Sequence, residues 1–202
     1  MGMRPINNIL DQHIFRQEYN RLAKMSVPPS YVKQCRLFGW YDENNELQGG
    51  YAFAQGQDMA WPKLVQGNLN FFQNVKLETC LEFNMAWAKG SLHESCLQMI
   101  RFWLSSSQII KSISEVEYVT FAVDASYTNL VKLYEKVATD VVFRGSVPKY
   151  PDREVMIFAA PKKRFENLFW IYTPVFMERL QRSLGRKWRQ IQNRPVLQTG
   201  EI

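Results

Sequence analysis

Residues 117–145 read EYVTFAVDASYTNLVKLYEKVATDVVFRG, and this stretch has the clearest structural pattern of the chain. Residues 118–123 are β-branched and aromatic, which is typical of a buried strand. Apolar residues then recur every three or four positions and predict a helix that ends near residue 137: Leu130, Leu133, Tyr134 and Val137. Three residues are candidate N-caps of this helix: Asp124, Ser126 and Thr128. Residues 141–144 predict a second strand, so the stretch forms a strand, a helix and a strand.

The rest of the first 160 residues adds elements of both kinds. In chain order these are a helix at 9–24, two strands at 36–41 and 47–54 that form an antiparallel hairpin, a long polar loop at 55–76, a central strand at 77–88, a helix at 94–110 and a last strand at 154–160. The central strand is predicted to alternate, with Leu81, Phe83, Met85 and Trp87 on one side. The predicted fold class is α/β of the α+β kind, with a mixed, mostly antiparallel sheet flanked by helices.

The composition supports one domain and excludes several classes of protein. Of the 202 residues, 46% are apolar and 14% aromatic, which is enough for a core without disulfides. The three cysteines are far apart, so neither a disulfide framework nor a metal site is predicted. Residues 1–10 lack the apolar core of a secretory signal, and no segment approaches the roughly 20 apolar residues of a membrane span. We therefore expect a cytoplasmic protein.

The net charge of +6 lies in the C-terminal segment. Residues 161–202 contain nine Lys or Arg and three Glu, whereas the charges of residues 1–160 balance. We therefore divide the chain into a domain at 1–160 and a basic, amphipathic helical extension at 161–202, in which two helices meet at Thr173 and Pro174. The apolar face of the extension would pack on the domain or across a homodimer, or attach to an anionic membrane surface. Nucleic acid is a less favoured partner, because the basic residues form no recognisable reading motif.

The order of the elements, together with LYEKV at residues 133–137 and Gly145 after the next strand, resembles the GNAT superfamily of acyl-CoA-dependent N-acyltransferases. In that family the final helix commonly reads Leu-Tyr-x-Lys-x-Gly-Phe. The resemblance covers roughly residues 5–160, mostly through element order. It implies acetyl-CoA or another acyl-CoA as co-substrate, a small-molecule or protein amine as acceptor, and no metal.

The resemblance also implies where the acyl donor binds. In the family the central strand splays from its parallel neighbour, and the gap holds the pantetheine arm, which satisfies the open backbone groups as an added strand would. The expected contacts are Met85, Ala86 and Trp87 on the strand, Lys89, Gly90, Ser91, His93 and Ser95 in the loop that follows, and Asn129. The loop has one glycine where the family has two or more small residues, so a generic strand-to-helix connection explains it equally well.

Three residues are candidates for the chemistry. Tyr134 matches the position at which many family members keep a tyrosine as general acid; the alternative is a core aromatic. Glu82 and Glu78 stand four residues apart on the predicted central strand, where carboxylates are unusual unless they are paired or line a cleft. Glu82 is the better candidate for the base, and the alternative is a solvated strand edge or a salt bridge.

Residues 82–85 (EFNM) also resemble, more faintly, a motif of acyl-homoserine-lactone synthases, which share this fold. Met85 stands where that motif has arginine.

The first hypothesis, from the GNAT resemblance, is an N-acyltransferase, most simply an acetyltransferase, that works by direct attack of the amine. The alternatives are a catalytically silent GNAT-like module that binds through its C-terminal helices, and a synthase-like enzyme that uses a longer acyl donor on coenzyme A or on a carrier protein.

Overall fold

The computed structural model of the chain describes residues 2–65, 71, 75–90, 96–174, 177, 178 and 181. Its strands are β1 (Gly2–Pro5), β2 (Arg36–Tyr41), β3 (Leu47–Gln55), β4 (Cys80–Ala88), β5 (Tyr118–Asp124), β6 (Asp140–Val147) and β7 (Tyr150–Pro161). Its helices are α1 (Ile9–Ala23), α2 (Pro29–Gln34), α3 (Trp61–Leu64), α4 (Cys96–Ser112), α5 (Thr128–Glu135) and α6 (Lys162–Glu166).

The seven strands form one sheet in the order β1-β2-β3-β4-β5-β7-β6. Every neighbouring pair is antiparallel except β4 and β5, which are parallel. A parallel pair requires a crossover connection, and α4 lies in the segment that joins these two strands. The predicted mixed, mostly antiparallel sheet flanked by helices is confirmed.

Helices cover both faces of the sheet. Tyr51 and Phe53 of β3 belong to the main core with residues of α4, α5 and α6, whereas their neighbour Ala52 belongs to a second core with residues of α1 and α2. Successive side chains of a strand point to opposite faces, so the two sets of helices lie on opposite sides of the sheet. The short helix α3 is on the α1 side, where Trp61 packs in a third core with Ala54.

The structure contains elements that the sequence patterns did not predict. Strand β1 pairs with β2 at one edge of the sheet, and α2 follows the two prolines that end the first helical region. The predicted long loop contains α3 and a short 3-10 turn at Gly56–Asp58. The N-caps predicted for α5 are wrong: Tyr127 occupies the N-cap position, and no side chain bonds to the helix end there.

The central strand differs from its prediction in two ways. It begins at Cys80, because residues Leu77–Thr79 form a 3-10 turn. It also does not alternate throughout: Phe83 lies in the main core, whereas Met85 and Trp87 lie in the core on the opposite face. The strand therefore changes the direction of its side chains between residues 83 and 87.

The first part of the C-terminal extension packs on the sheet. Phe165, Leu168 and Tyr172 are buried in the main core, and the Tyr172 hydroxyl donates to the Leu133 carbonyl oxygen at 3.0 Å. Residues 168–174 are helical, and the Thr173 hydroxyl donates to a carbonyl oxygen four residues earlier, as in a helix interior. The predicted helix start at Thr173 is therefore wrong. Residues 175, 176, 179, 180 and 182–202, on which the rest of the predicted extension falls, lie outside the described residues.

Candidate active site

A gap opens between the two central strands. The pairing of β4 with β5 runs from Cys80 opposite Tyr118 to Phe83 opposite Phe121 and then ends. Both strands continue, β4 to Ala88 and β5 to Asp124. Past the last pair, the facing edges of the two strands are open to hydrogen bonding with another extended molecule. This is the splayed arrangement that the resemblance implied.

A bulge in β4 accompanies the gap. The register with β3 shifts between Gly50 and Ala52, whose partners are Trp87 and Asn84, so β4 has one more residue than β3 over this interval. Met85 has a φ of 48°, in the left-handed region that non-glycine residues seldom adopt. Such a conformation costs about 1–3 kcal/mol and is concentrated at functional sites. The bulge also explains the reversed side-chain direction described above.

A cavity of about 670 Å³ passes through this gap and is lined from both sides of the sheet. On the α1 side, its wall includes Tyr19, Leu22, Met25, Val27, Tyr31, Trp61, Leu64, Val65, Glu82, Asn84 and Trp87. On the α5 side, its wall includes Phe83, Leu130 and Tyr134. Most of the lining surface is apolar, and five charged residues are among those that line it. Two molecules that enter from opposite faces can therefore meet inside the cavity.

Glu82 is one of the two acidic residues that line this cavity. Its side chain is 4% exposed, and its Oε2 accepts a hydrogen bond of 2.6 Å from the Ala60 backbone N–H. Burial raises the pKa of Glu82 to about 7 from its ordinary value of 4.5, and hydrogen bonds from Ala60 and Tyr31 oppose that shift. The carboxyl group therefore changes between its neutral and ionised forms near neutral pH.

Three side chains on the α1 side form a chain of hydrogen bonds. Asn84 Nδ2 donates to the Tyr31 hydroxyl oxygen at 2.6 Å, and the Tyr31 hydroxyl donates to Glu82 Oε2 at 3.4 Å. The Asn84 amide is assigned with its Nδ2 towards the Tyr31 oxygen. Trp61 holds α3 in place, because its Nε1 donates to Thr120 Oγ1 at 3.1 Å. These contacts fix the position of the Glu82 carboxyl group.

Tyr134 lines the cavity from α5 and is buried, with 7% of its surface exposed. Its ring packs edge-to-face on Phe121, with the ring centroids 4.7 Å apart. Burial raises the pKa of Tyr134 above its ordinary value of 10.0. From the sequence, Tyr134 is a candidate general acid or a core aromatic. In the structure it is a core aromatic that also reaches the cavity.

Some of the residues that the resemblance assigned to the acyl donor meet at the cavity and others do not. Met85, Ala86 and Trp87 line it. Lys89 and Gly90 directly follow β4 and are not part of its lining, and Asn129 is exposed in the first turn of α5. Ser91, His93 and Ser95 lie outside the described residues.

The sequence pattern places Glu78 and Glu82 on one strand, and the structure shows that Glu78 lies outside that strand. It lies in the 3-10 turn before β4, its side chain is exposed, and it is not among the residues that line the cavity. Sequence reasoning also missed Tyr31, Asn84 and the backbone of Ala60. Tyr31 and Glu82 are 51 residues apart in the chain, and no local pattern indicates a contact at that separation.

Two basic residues connect the β6–β7 hairpin to the end of α1, at the edge of the cavity. Lys149 Nζ donates to the Ser26 carbonyl oxygen at 3.1 Å, and Arg153 donates to the Lys24 carbonyl oxygen at 3.0 Å. Arg153 also lies 3.9 Å from Asp124. Both basic side chains line the cavity. This side of the cavity therefore has a positive rim.

The described part of the chain offers neither a metal site nor a membrane span. Within it, no group of three or more His, Cys, Asp or Glu side chains is placed to hold a metal ion. None of the helices in that part of the chain has the length and apolar character needed to cross a bilayer.

Comparison with known proteins identifies the fold. Neither a protein-family profile nor a curated protein sequence matches the chain. Among solved structures, FeeM, an N-acyl amino acid synthase from uncultured soil microbes, matches with a TM-score of 0.61 and 9% identity, over 81% of this chain and 91% of that chain. NAA60 of Arabidopsis thaliana, solved with acetyl-CoA, matches with a TM-score of 0.55 and 12% identity, over 79% and 97% of the two chains.

A variant of the spermidine N-acetyltransferase SpeG from Vibrio cholerae matches with a TM-score of 0.54 and 12% identity, over 83% of this chain and 98% of that chain. A putative acetyltransferase of the GNAT family from Desulfovibrio desulfuricans also matches, with a TM-score of 0.54 and 7% identity, over 80% and 98% of the two chains. At these identities the likeness establishes the fold alone. The chain has the GNAT N-acyltransferase fold, which confirms the resemblance noted in the sequence.

Proposed function

We propose that the chain is an N-acyltransferase that transfers an acyl group from acyl-CoA to an amine by direct attack. The observation that carries this proposal is the Glu82 carboxyl group, which is buried in a cavity between two splayed strands and has a pKa of about 7. Burying a carboxyl group lowers stability, because its charged form is poorly solvated there. Its position therefore favours an active enzyme over a silent binding scaffold with the same fold.

We assign Glu82 the role of general base. At neutral pH an amine is mostly an ammonium ion, which must lose a proton before the nitrogen can attack. A carboxylate whose pKa lies near the working pH is a more effective base than an exposed one whose pKa is near 4.5. The hydrogen bonds from Ala60 and Tyr31 hold its Oε2 in place during the transfer.

We assign Tyr134 the role of general acid. The phenol is protonated at neutral pH, so the hydroxyl is available to donate to the sulfur that leaves. Tyr134 approaches the cavity from the α5 side and Glu82 belongs to the opposite face of the sheet. The base and the acid can therefore act on opposite sides of the reacting group.

The open edges of β4 and β5 are assigned to the acyl donor. Acyl-CoA supplies an acyl group that is activated as a thioester. We assign the β4 backbone around the bulge, at Met85, Ala86 and Trp87, to the acyl carbonyl oxygen and the amides of the pantetheine arm. Lys89 and Gly90 follow at the end of the strand, and we assign them to the phosphate end together with Ser91, His93 and Ser95.

The size of the cavity favours a donor with an acyl chain longer than acetyl. Its volume of about 670 Å³ falls in the range of about 300–1,000 Å³ that encloses a drug-sized ligand, and most of its wall is apolar. A longer donor agrees with the faint resemblance to acyl-homoserine-lactone synthases. Acetyl-CoA is the donor with which longer acyl-CoA donors are compared in every assay.

Acyl-CoA binding is tested by thermal unfolding of the full chain with a series of donors from acetyl-CoA to dodecanoyl-CoA. A ligand at 100 times its Kd stabilises the folded state by about 2.7 kcal/mol, which raises the Tm measurably. We expect stabilisation that increases with acyl length and then falls when the chain exceeds the cavity. An unchanged Tm with every donor, and with free coenzyme A, would contradict the proposal.

A further inference from the structure

Two polar side-chain atoms, on residues that line the cavity, are buried without a hydrogen-bond partner. Within the described residues, these are the only such side-chain atoms: Asn84 Oδ1 and Trp87 Nε1. Trp87 is 5% exposed, and both residues line the cavity on the α1 side of β4. A buried polar atom that lacks a partner destabilises the fold, so each one requires an explanation.

The two atoms are complementary in kind. Asn84 Oδ1 accepts hydrogen bonds, and the indole Nε1–H of Trp87 only donates. A ligand that satisfies both must offer an N–H or O–H group to Asn84 and a lone pair to Trp87. Asn84 is also joined to Glu82 through the Tyr31 hydroxyl, so the donating group of the ligand lies beside the proposed base.

The charges of the cavity wall favour an anionic group on this ligand. Its basic residues are Lys63, Lys149 and Arg153, and its acidic residues are Glu82 and Asp124, of which Asp124 lies 3.9 Å from Arg153. Lys149 uses one hydrogen bond to reach the Ser26 carbonyl, which leaves two of its three donors for a ligand. A polycationic acceptor would meet repulsion at this rim, whereas a carboxylate would be attracted.

We propose that the acceptor is an amine that carries a carboxylate, and that Asn84 and Trp87 select it. Asn84 Oδ1 accepts a hydrogen bond from the attacking amine, and Trp87 Nε1 donates to the carboxylate. The apolar wall at Leu22, Val27 and Leu64 receives a hydrophobic side chain of the acceptor. This inference rests on the proposed function, since it takes Glu82 as the base that the amine approaches.

Three amines of similar shape test the inference: phenylalanine, phenylalaninamide and phenethylamine. With an acyl-CoA donor, we expect kcat/KM for phenylalanine to exceed that for phenethylamine by roughly tenfold or more, because a hydrogen bond to a charged group has about that effect. The amide, which keeps an oxygen but no charge, should be intermediate. Equal values for the three amines, or a preference for phenethylamine, would overturn the proposal.

The variant Trp87→Phe removes the indole N–H and keeps an aromatic ring against Phe15, with which Trp87 makes an edge-to-face contact. It should lose most of the preference for phenylalanine over phenethylamine, measured as the ratio of the two kcat/KM values. Trp40→Phe is the matched control, because Trp40 is also 5% exposed but does not line the cavity. An undiminished preference in a folded Trp87→Phe variant would remove Trp87 from acceptor selection.

Nuclear magnetic resonance separates this inference from the proposed activity. The chain has six tryptophans, and the indole N–H signal of Trp87 is the one that disappears in Trp87→Phe. With coenzyme A present, phenylalanine should shift this signal and phenethylamine should not. A shift with phenylalanine in a chain that transfers no acyl group would support the acceptor site and count against the activity. If phenylalanine shifts other signals but leaves the Trp87 indole signal in place, the proposed acceptor site is overturned.

Discussion

Replacing Glu82 by Gln is expected to lower kcat/KM for acyl transfer by about 10²- to 10⁴-fold, the usual effect of losing a general base. Gln keeps the shape and the hydrogen bond from the Ala60 N–H but cannot accept the proton of the ammonium group. In the unmodified chain, kcat/KM should rise with pH through about 7, the pKa of Glu82, and then level off. The variant should lose the plateau above pH 7, because its rate follows the fraction of unprotonated amine, and steady-state kinetics at a series of pH values would reveal the change.

The same variant has a second readout in stability. The folded-state pKa of Glu82 is raised, so the folded chain binds more protons than the unfolded chain between about pH 4.5 and 7, and its stability falls as pH rises through that window. The amide that replaces the carboxyl group carries no charge, so Glu82→Gln should be more stable than the unmodified chain above pH 7, by about 3 kcal/mol. The difference should vanish towards pH 4.

Glu78→Gln is the matched control for both measurements. Glu78 is exposed and lies outside the cavity, so its replacement should leave kcat/KM, its pH profile and the stability nearly unchanged. Full activity in Glu82→Gln would remove Glu82 as the base. A large loss in Glu78→Gln would show that the base is not the buried carboxyl group.

Replacing Tyr134 by Phe should lower the rate of the chemical step by about 10²-fold or more, because the leaving sulfur loses its proton donor. The ring remains, and with it the edge-to-face contact with Phe121, so folding and the Kd for acyl-CoA should change little. Rapid mixing of the enzyme with a saturating donor and amine, followed by quenching, measures the chemical step apart from product release.

Tyr51→Phe is the control for Tyr134→Phe. Tyr51 is fully buried and its hydroxyl lies 2.8 Å from Ser105 Oγ, but it does not line the cavity. Its replacement should lower the free energy of unfolding by about 1 kcal/mol and leave the chemical step unchanged. A rate in Tyr134→Phe equal to that of the unmodified chain would leave Tyr134 with a packing role alone.

Much of the fold follows from local sequence patterns. The segment at residues 117–145 forms β5, α5 and β6 as predicted, because buried strands and amphipathic helices differ in the spacing of apolar residues. Strand β1 was missed because four residues are too few to show an alternation, and its pairing with β2 depends on a contact across more than thirty residues. Helix α2 was missed for a similar reason, since six residues make fewer than two turns.

The candidate site is only partly visible in the sequence. Glu82 could be chosen because a carboxylate in an apolar strand is unusual, and this signal is local. The bulge could not be predicted, because neither Gly nor Pro occurs at residues 84–86 and Met85 is an unusual residue for a positive φ. The partners of Glu82 come from Tyr31 and Ala60, 51 and 22 residues away, so the environment that raises its pKa depends on the tertiary structure.

The most direct test of acyl transfer is to incubate the full chain with an acyl-CoA and a set of amines, and to follow free thiol and acylated product together. Thiol should appear only when an amine is present, in equal amount to an N-acyl product that mass spectrometry identifies, and Glu82→Gln should bind the donor yet form little product. Release of thiol without an N-acyl product, or no product from any donor and amine while the donor is bound, would contradict the account.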